Sequence, residues 1–123
     1  MAPITLLTPE DGASVDLNEV IFRWSPVEGA DRYRVGFSRL DEGSSGIRTI
    51  TYFASVEVSD AVLVPGALSR ERLERVRLYA AGDTGRWSVT ALKRHQGADG
   101  EEEVVLGKTV TTRTFLVVQA LSR

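Results

Sequence analysis

Apolar and polar residues alternate with a period of two along much of this chain, and this alternation limits its fold more than any other feature. A period of two is typical of β-strands with one buried face, because successive side chains point to opposite sides of a strand. Turn residues such as Pro26 and Gly29 separate the alternating runs. The sequence therefore predicts an antiparallel β-sandwich of two sheets. The clearest runs are residues 20–24, 32–37, 48–58 and 87–91.

The alternation also predicts which side chains form the core. Each run has an apolar face, and the apolar faces of the two sheets should meet. Trp24 and Trp87 alternate with apolar residues and are predicted as buried anchors. The other core candidates are Val20, Phe22, Tyr33, Val35, Phe37, Val89 and Ala91, with Ile50, Tyr52, Ala54, Val56 and Val58 on one face of their strand.

Shorter runs complete the predicted strand order. Residues 4–7 form a first strand, and residues 61–64 form another. Residues 104–118 are predicted as a final strand, broken or bent near Gly107. These runs give about seven strands, a number that suits one sandwich. A chain of 123 residues has the usual size of one domain, so residues 1–123 are predicted to fold as a single unit.

One segment, residues 69–79, departs from the period of two. Ser69 can cap a helix, and the helix-forming residues that follow predict a short helix or helical turn near residues 69–76. The alternative is a strand over residues 75–80, because apolar residues also alternate there.

Composition supplies few groups for catalysis or for binding a cofactor. The chain has no cysteine, which excludes disulfides, thiolate metal sites and cysteine nucleophiles. The one histidine, His95, follows Lys93 and Arg94, and no second ligand or nucleophile pattern accompanies it. No glycine-rich phosphate-binding motif occurs. We therefore expect a protein that is not an enzyme and that binds no cofactor and no metal.

The charge balance argues against a nucleic-acid partner. Lys and Arg together number 15 against 17 Asp and Glu, whereas nucleic-acid-binding domains rely on a positive field. No run approaches the roughly 18 apolar residues of a membrane span. Asp99 and residues 101–103 form an acidic cluster, but three successive strand residues cannot all face one calcium ion. A solvated hairpin tip is the preferred interpretation of this cluster.

Five stretches of the chain match a known pattern: LTPEDGA at 7–13, FRWSPVEGA at 22–30, YRV at 33–35, WSVTA at 87–91 and RTFLV at 113–117. Together they resemble the bacterial fibronectin type III-like domains, a group of immunoglobulin-like β-sandwiches. The resemblance covers nearly the whole chain, but two features depart from the pattern. Segment 69–79 is longer than such a domain needs, and Trp87 stands where a tyrosine is more usual.

The resemblance implies a non-catalytic structural or protein-interaction module. Such modules are typical of exported or envelope-associated bacterial proteins, so a periplasmic, cell-surface or secreted location is expected from the resemblance alone. The alternative function is a carbohydrate-binding accessory domain. That alternative would be favoured if Trp87, Tyr52 or Phe53 were exposed and coplanar in a groove, where an aromatic ring can stack on a sugar.

Two groups of residues are candidates for contact with a protein partner. Arg32 and Arg34 share the outward face of their strand and could dock an acidic partner; solvated arginines on a sheet face are the alternative. Thr49, Thr51 and Phe53 lie in a run without charge or proline, which the resemblance places at a sheet edge.

We expect that edge to be covered. Natural proteins guard exposed strand edges with lysine, proline or a bulge, and none is evident within residues 49–56. The cover is expected either from segment 69–79 or from a protein partner. A homodimer or a neighbouring domain would be that partner.

Overall fold

In the computed structural model the chain is all β across the residues described, which are 2–42, 48–64, 81–98, 100–109 and 111–119. Only the backbone is described for residues 2, 41–42 and 48–54. These ranges contain ten strands and no helix. The helix predicted near residues 69–76 and the alternative strand at 75–80 lie outside the described residues.

The longest strand, β8, has 14 residues and lies at the centre of the larger of two sheets. The strands are β1 (Ala2–Ile4), β2 (Leu6–Thr8), β3 (Ala13–Asp16), β4 (Phe22–Trp24), β5 (Arg32–Glu42), β6 (Arg48–Val58), β7 (Val62–Leu63), β8 (Thr84–Gly97), β9 (Gly100–Thr109) and β10 (Arg113–Gln119).

The strand pairing confirms the predicted all-β, two-sheet class. In the larger sheet β5 pairs with one edge of β8, and β9 and β10 share the other edge. β6 continues this sheet beyond β5, while β1 and β3 pair in parallel with β9 and β10. The smaller sheet has the order β2-β4-β7. The core lies between the two sheets.

The centre of the core is aromatic. Trp24 and Trp87 are each 1 % exposed, as predicted. The ring centroids of Trp24 and Tyr33 lie 5.5 Å apart, and those of Phe22 and Trp87 lie 4.9 Å apart, both edge to face. Such pairs add about 0.5–1.5 kcal/mol beyond area burial. Of the other predicted core residues, Phe22, Tyr33, Val35, Phe37, Val56, Val89 and Ala91 are buried, and Val20 and Val58 are partly buried.

A glycine opposite a phenylalanine sets the contact between β10 and β8. Gly85 pairs in register with Phe115, whose side chain is fully buried. A Cβ atom at Gly85 would lie 2.3 Å from Cζ and 2.4 Å from Cε2 of the phenylalanine ring. The ring therefore lies directly against the glycine backbone, and a larger residue would have to push it away.

The first predicted strand, residues 4–7, is two strands in the structure. The chain crosses from the larger sheet to the smaller one at Thr5, whose N–H donates to Ser25 Oγ at 2.9 Å. The Ser25 N–H in turn donates to the Thr5 carbonyl at 2.8 Å. This crossing lets Ile4 and Leu6 both reach the core, although they belong to different sheets.

The final predicted strand, residues 104–118, is also two strands. β9 ends at Thr109 and β10 begins at Arg113, so the break lies beyond Gly107. The irregularity near Gly107 is a register shift that leaves Leu106 unpaired with β8. β3 was not predicted as a strand.

β6 contains a bulge that the alternation does not reveal. Ala54 pairs with Phe37, but Tyr52 pairs with Ser38, which leaves Phe53 without a partner on β5. A shift of one residue exchanges the two faces of a strand. The single apolar face predicted along this strand is therefore interrupted, and the expectation that no bulge guards residues 49–56 was wrong.

Candidate interaction surfaces

Four charged side chains form ion pairs on the outer face of the larger sheet. Arg32 and Arg34 of β5 both lie on this face, as predicted. Arg34 Nη2 lies 2.9 Å from Glu57 Oε1 and 3.1 Å from Glu103 Oε1. Arg32 Nε lies 3.5 Å from Glu57 Oε2, and Arg32 Nη2 pairs with Glu103 Oε2. Because Glu57 belongs to β6 and Glu103 to β9, the ion pairs span four neighbouring strands.

The ion pairs lie over an apolar residue. Leu92 of β8 is directly opposite Arg32 and fully buried, although it is not part of the core between the sheets. Hydrogen bonding to Glu57 raises the pKa of Arg34 above its ordinary value, which keeps the guanidinium charged. Since both guanidinium groups already have carboxylate partners, an acidic protein would have to displace Glu57 or Glu103.

The other candidates, Thr49, Thr51 and Phe53, lie in an edge strand. β6 pairs with β5, and no strand in the described part of the chain pairs with its other edge, which we call the β6 edge. The backbone of Thr49 and Thr51 is paired with β5, while Phe53 is at the bulge. Thr49 and Thr51 lie at the opposite end of the β5–β6 ladder from Arg32 and Arg34, and Phe53 lies near its middle, so the structure does not bring the two groups together.

The backbone directions along β6 follow from one hydrogen bond in the neighbouring strands. The Arg94 N–H donates to Asp31 Oδ2 at 2.7 Å, on the side of β8 that faces β5. Backbone groups alternate sides along a strand, so even-numbered residues of β8 face β5 and odd-numbered ones face away. Val35 of β5 is paired with Val89, an odd-numbered residue whose backbone groups face away from β5. The backbone groups of Val35 therefore face away from β8 and towards those of its other partner, Val56 in β6. The backbone N–H and C=O of Ser55 therefore point towards the β6 edge.

A second exposed feature is the β8–β9 arm, which we define as residues 93–98 and 100–105. It extends past Leu92, the last residue of β8 that pairs with β5. All its described residues except Gly97 are exposed. Arg94 Nε and Glu101 Oε1 form an ion pair at 3.2 Å on one face. By register, the other face carries Lys93, His95, Glu102 and Val104.

Both tryptophans are excluded as platforms for a sugar. Trp87 and Trp24 are each 1 % exposed, so no ring face is available for stacking. The side chains of Tyr52 and Phe53 lie outside the described residues. Of the three aromatic residues whose exposure would favour carbohydrate binding, Trp87 is therefore buried.

The remaining polar candidates lie at the surface. His95 is exposed and pairs in register with Glu102, while Asp99 lies outside the described residues. In the ranges that the structure describes, no group of three or more His, Asp or Glu side chains could hold a metal ion. A shallow depression of about 190 Å³ lies beside Gly36 and Ser88 between β5 and β8. None of the described segments is a helix long and apolar enough to cross a membrane.

No protein-family model, no curated protein and no solved structure matches this chain. The geometry of the β6 edge, the ion pairs and the β8–β9 arm is therefore the basis for a functional proposal.

Proposed function

We propose that this chain is a non-catalytic protein-interaction module that docks a partner strand along the β6 edge. In this proposal the module is a fibronectin type III-like sandwich within an exported or envelope-associated bacterial protein. The division of strands supports that class. Immunoglobulin-like folds place strands A, B and E in one sheet and strands C′, C, F and G in the other. Here the smaller sheet, β2-β4-β7, corresponds to the first set, and the run β6-β5-β8-β9 of the larger sheet corresponds to the second. The extra strands β3 and β10 depart from the simplest form of the fold.

The β6 edge is the observation that carries the proposal. β6 has 11 residues, and the backbone at Ser55 presents a donor and an acceptor to an edge with no described partner. The run 49–56 contains no charge that would oppose pairing with another strand. A partner can add a strand to such an edge through backbone hydrogen bonds.

The bulge determines which part of the edge a partner would use. Phe53 interrupts the ladder, so a straight partner strand fits best beside residues 54–58. Two copies of the chain paired antiparallel about Val56 along these residues would place Glu57 opposite Ser55, with no like charges facing each other. A second copy is therefore an acceptable partner in the isolated chain.

Sedimentation velocity across a wide range of concentration tests the proposal. We expect the wild type to self-associate and Ser55→Pro to weaken association at least about tenfold, because proline removes the outward donor without removing a bond to β5. Phe53→Lys, which places a charge at the bulge, should also weaken association.

Glu101→Pro is the matched control, since it introduces the same residue on a different exposed edge. It should associate as the wild type does, and all variants should melt as a single folded species. Self-association that Ser55→Pro and Phe53→Lys both leave unchanged would show that the β6 edge is not the docking site.

A further inference from the structure

We propose that the β8–β9 arm is a second docking site, which takes up an extended strand rich in basic residues along its β9 edge. This surface is separate from the β6 edge, and the inference does not depend on the function proposed above. It rests on the direction of the backbone groups in the arm, on the charges of its two strands and on its exposed apolar side chains.

The pairing register shows which backbone groups the arm presents. The Arg94 N–H points away from β9, because it donates to the Asp31 carboxylate. Glu103 is paired with Arg94, so its N–H and C=O also point away from the partner strand. The same alternation turns the backbone groups of Glu101 and Val105 outwards. In the described chain β1 pairs with β9 only near its C-terminal end, beyond these three residues.

The two edges of the arm differ in availability. On the β8 edge, the Asp31 carboxylate already accepts the outward N–H of Arg94 at 2.7 Å. On the β9 edge, no group in the described residues accepts a hydrogen bond from the backbone of Glu101, Glu103 or Val105. The β9 edge is therefore the one that a partner strand can join.

The negative charge of β9 favours a basic partner strand over a second copy of the chain. The β9 strand of the arm carries three successive glutamates, 101–103, so two copies pairing symmetrically along this edge would set carboxylates opposite each other. Glu101 and Glu103 form ion pairs with arginines of this chain, whereas Glu102 forms none among the described residues. A basic side chain facing Glu102 would be stabilised by the opposite charge.

Apolar side chains complete the surface. Val104 is 39 % exposed and Val105 is 42 % exposed, and as successive strand residues they lie on opposite faces. A partner strand with β-branched residues beside them would bury apolar area on both faces. The matching segment is therefore one in which lysine or arginine alternates with valine, isoleucine or threonine.

The ion pairs on the sheet make the arm a suitable platform. An isolated two-stranded hairpin is marginally stable in water. Here Glu103 is tied to Arg32 and Arg34 of β5, so the base of the arm is anchored to the sheet across three strands. A preformed edge lowers the ordering cost that a partner must overcome on binding.

An NMR titration of the full chain tests this inference. The probe is a synthetic peptide, acetyl-Lys-Val-Lys-Val-Lys-Thr-amide, and the control peptide has glutamate in place of each lysine. We expect the lysine peptide to shift the amide signals of residues 100–105, and added salt to weaken the effect. The glutamate peptide should not shift them.

Two proline variants form a matched pair, because Gln96 and Glu101 are opposite each other in the arm. Glu101→Pro removes an outward donor from the β9 edge and should weaken binding of the lysine peptide at least about tenfold. Gln96→Pro makes the same change on the β8 edge and should alter binding less than about twofold. Glu102→Lys should weaken binding at least about fivefold, without removing any backbone donor.

Several outcomes would overturn the inference. Equal binding of the glutamate peptide, shifts that map away from the arm, or equal losses in the two proline variants would each do so. Symmetric pairing of two copies along their β9 edges would also overturn it, because the glutamates at 101–103 are expected to prevent such pairing. Ser55→Pro should bind the lysine peptide as the wild type does, so failure at this site is distinguishable from failure at the β6 edge.

Discussion

The contact between Gly85 and Phe115 allows a quantitative test of the fold. In Gly85→Ala the new Cβ would lie 2.3–2.9 Å from three atoms of the phenylalanine ring, whereas carbon atoms pack at about 3.5–4.0 Å. The ring is fully buried and also packs edge to face on Phe22 at 5.6 Å, so it has little room to move. Overpacking of this kind costs about 1–3 kcal/mol. Urea denaturation should show that loss in the free energy of unfolding, while the dependence of this free energy on urea concentration stays unchanged.

A double-mutant cycle identifies the source of the loss. Phe115→Leu shortens the ring, so Gly85→Ala should cost at least about 0.5 kcal/mol less in that background than in the wild type. Gly97→Ala is the control in the same strand, because its Cβ would meet the flexible end of the Glu102 side chain at 3.2 Å. It should change stability by less than about 0.5 kcal/mol. Additive losses for Gly85→Ala and Phe115→Leu would refute the packing argument.

Two further predictions concern the stability of the core and the loss of stability at low pH. Trp24→Ala should lower the free energy of unfolding by about 3–5 kcal/mol. Trp24→Phe should cost clearly less, because the buried indole N–H has no hydrogen-bond partner among the described residues; equal losses in urea denaturation would contradict this. Backbone and hydroxyl hydrogen bonds from Thr114 lower the pKa of Asp11, so the stability it contributes is present above the unfolded value near 3.8 and is lost as pH falls through the folded pKa. An NMR titration that places the Asp11 pKa at or above its ordinary value would contradict this assignment.

The alternation predicted the parts of the fold in which one face of a strand meets the core. Trp24, Val35 and Trp87 are buried for that reason. Features that depend on pairing between distant residues could not be predicted in this way. The crossing at Thr5 requires the side chain of Ser25, and the bulge at Phe53 appears only when β6 is aligned with β5.

The candidate surfaces were likewise predictable only in part, because some of their features depend on pairing between distant strands. The outward position of Arg32 and Arg34 could be predicted from alternation, but their neutralisation by Glu57 and Glu103 requires the order of four strands. The β8–β9 arm did leave a signal in the sequence. Residues 93–96 and 101–103 are polar at every position, which is typical of a ribbon with neither face buried.

Native-state hydrogen exchange at Ser55 and Val56 tests the proposed docking edge most directly. The two N–H groups belong to adjacent residues, but that of Val56 faces β5 and that of Ser55 faces the β6 edge. In the dilute monomer we predict that the Ser55 N–H exchanges at least about a hundredfold faster than the Val56 N–H, and that it becomes protected as the chain self-associates. Equal protection of both groups in the monomer would contradict the proposal, because the edge would then already be covered within the chain.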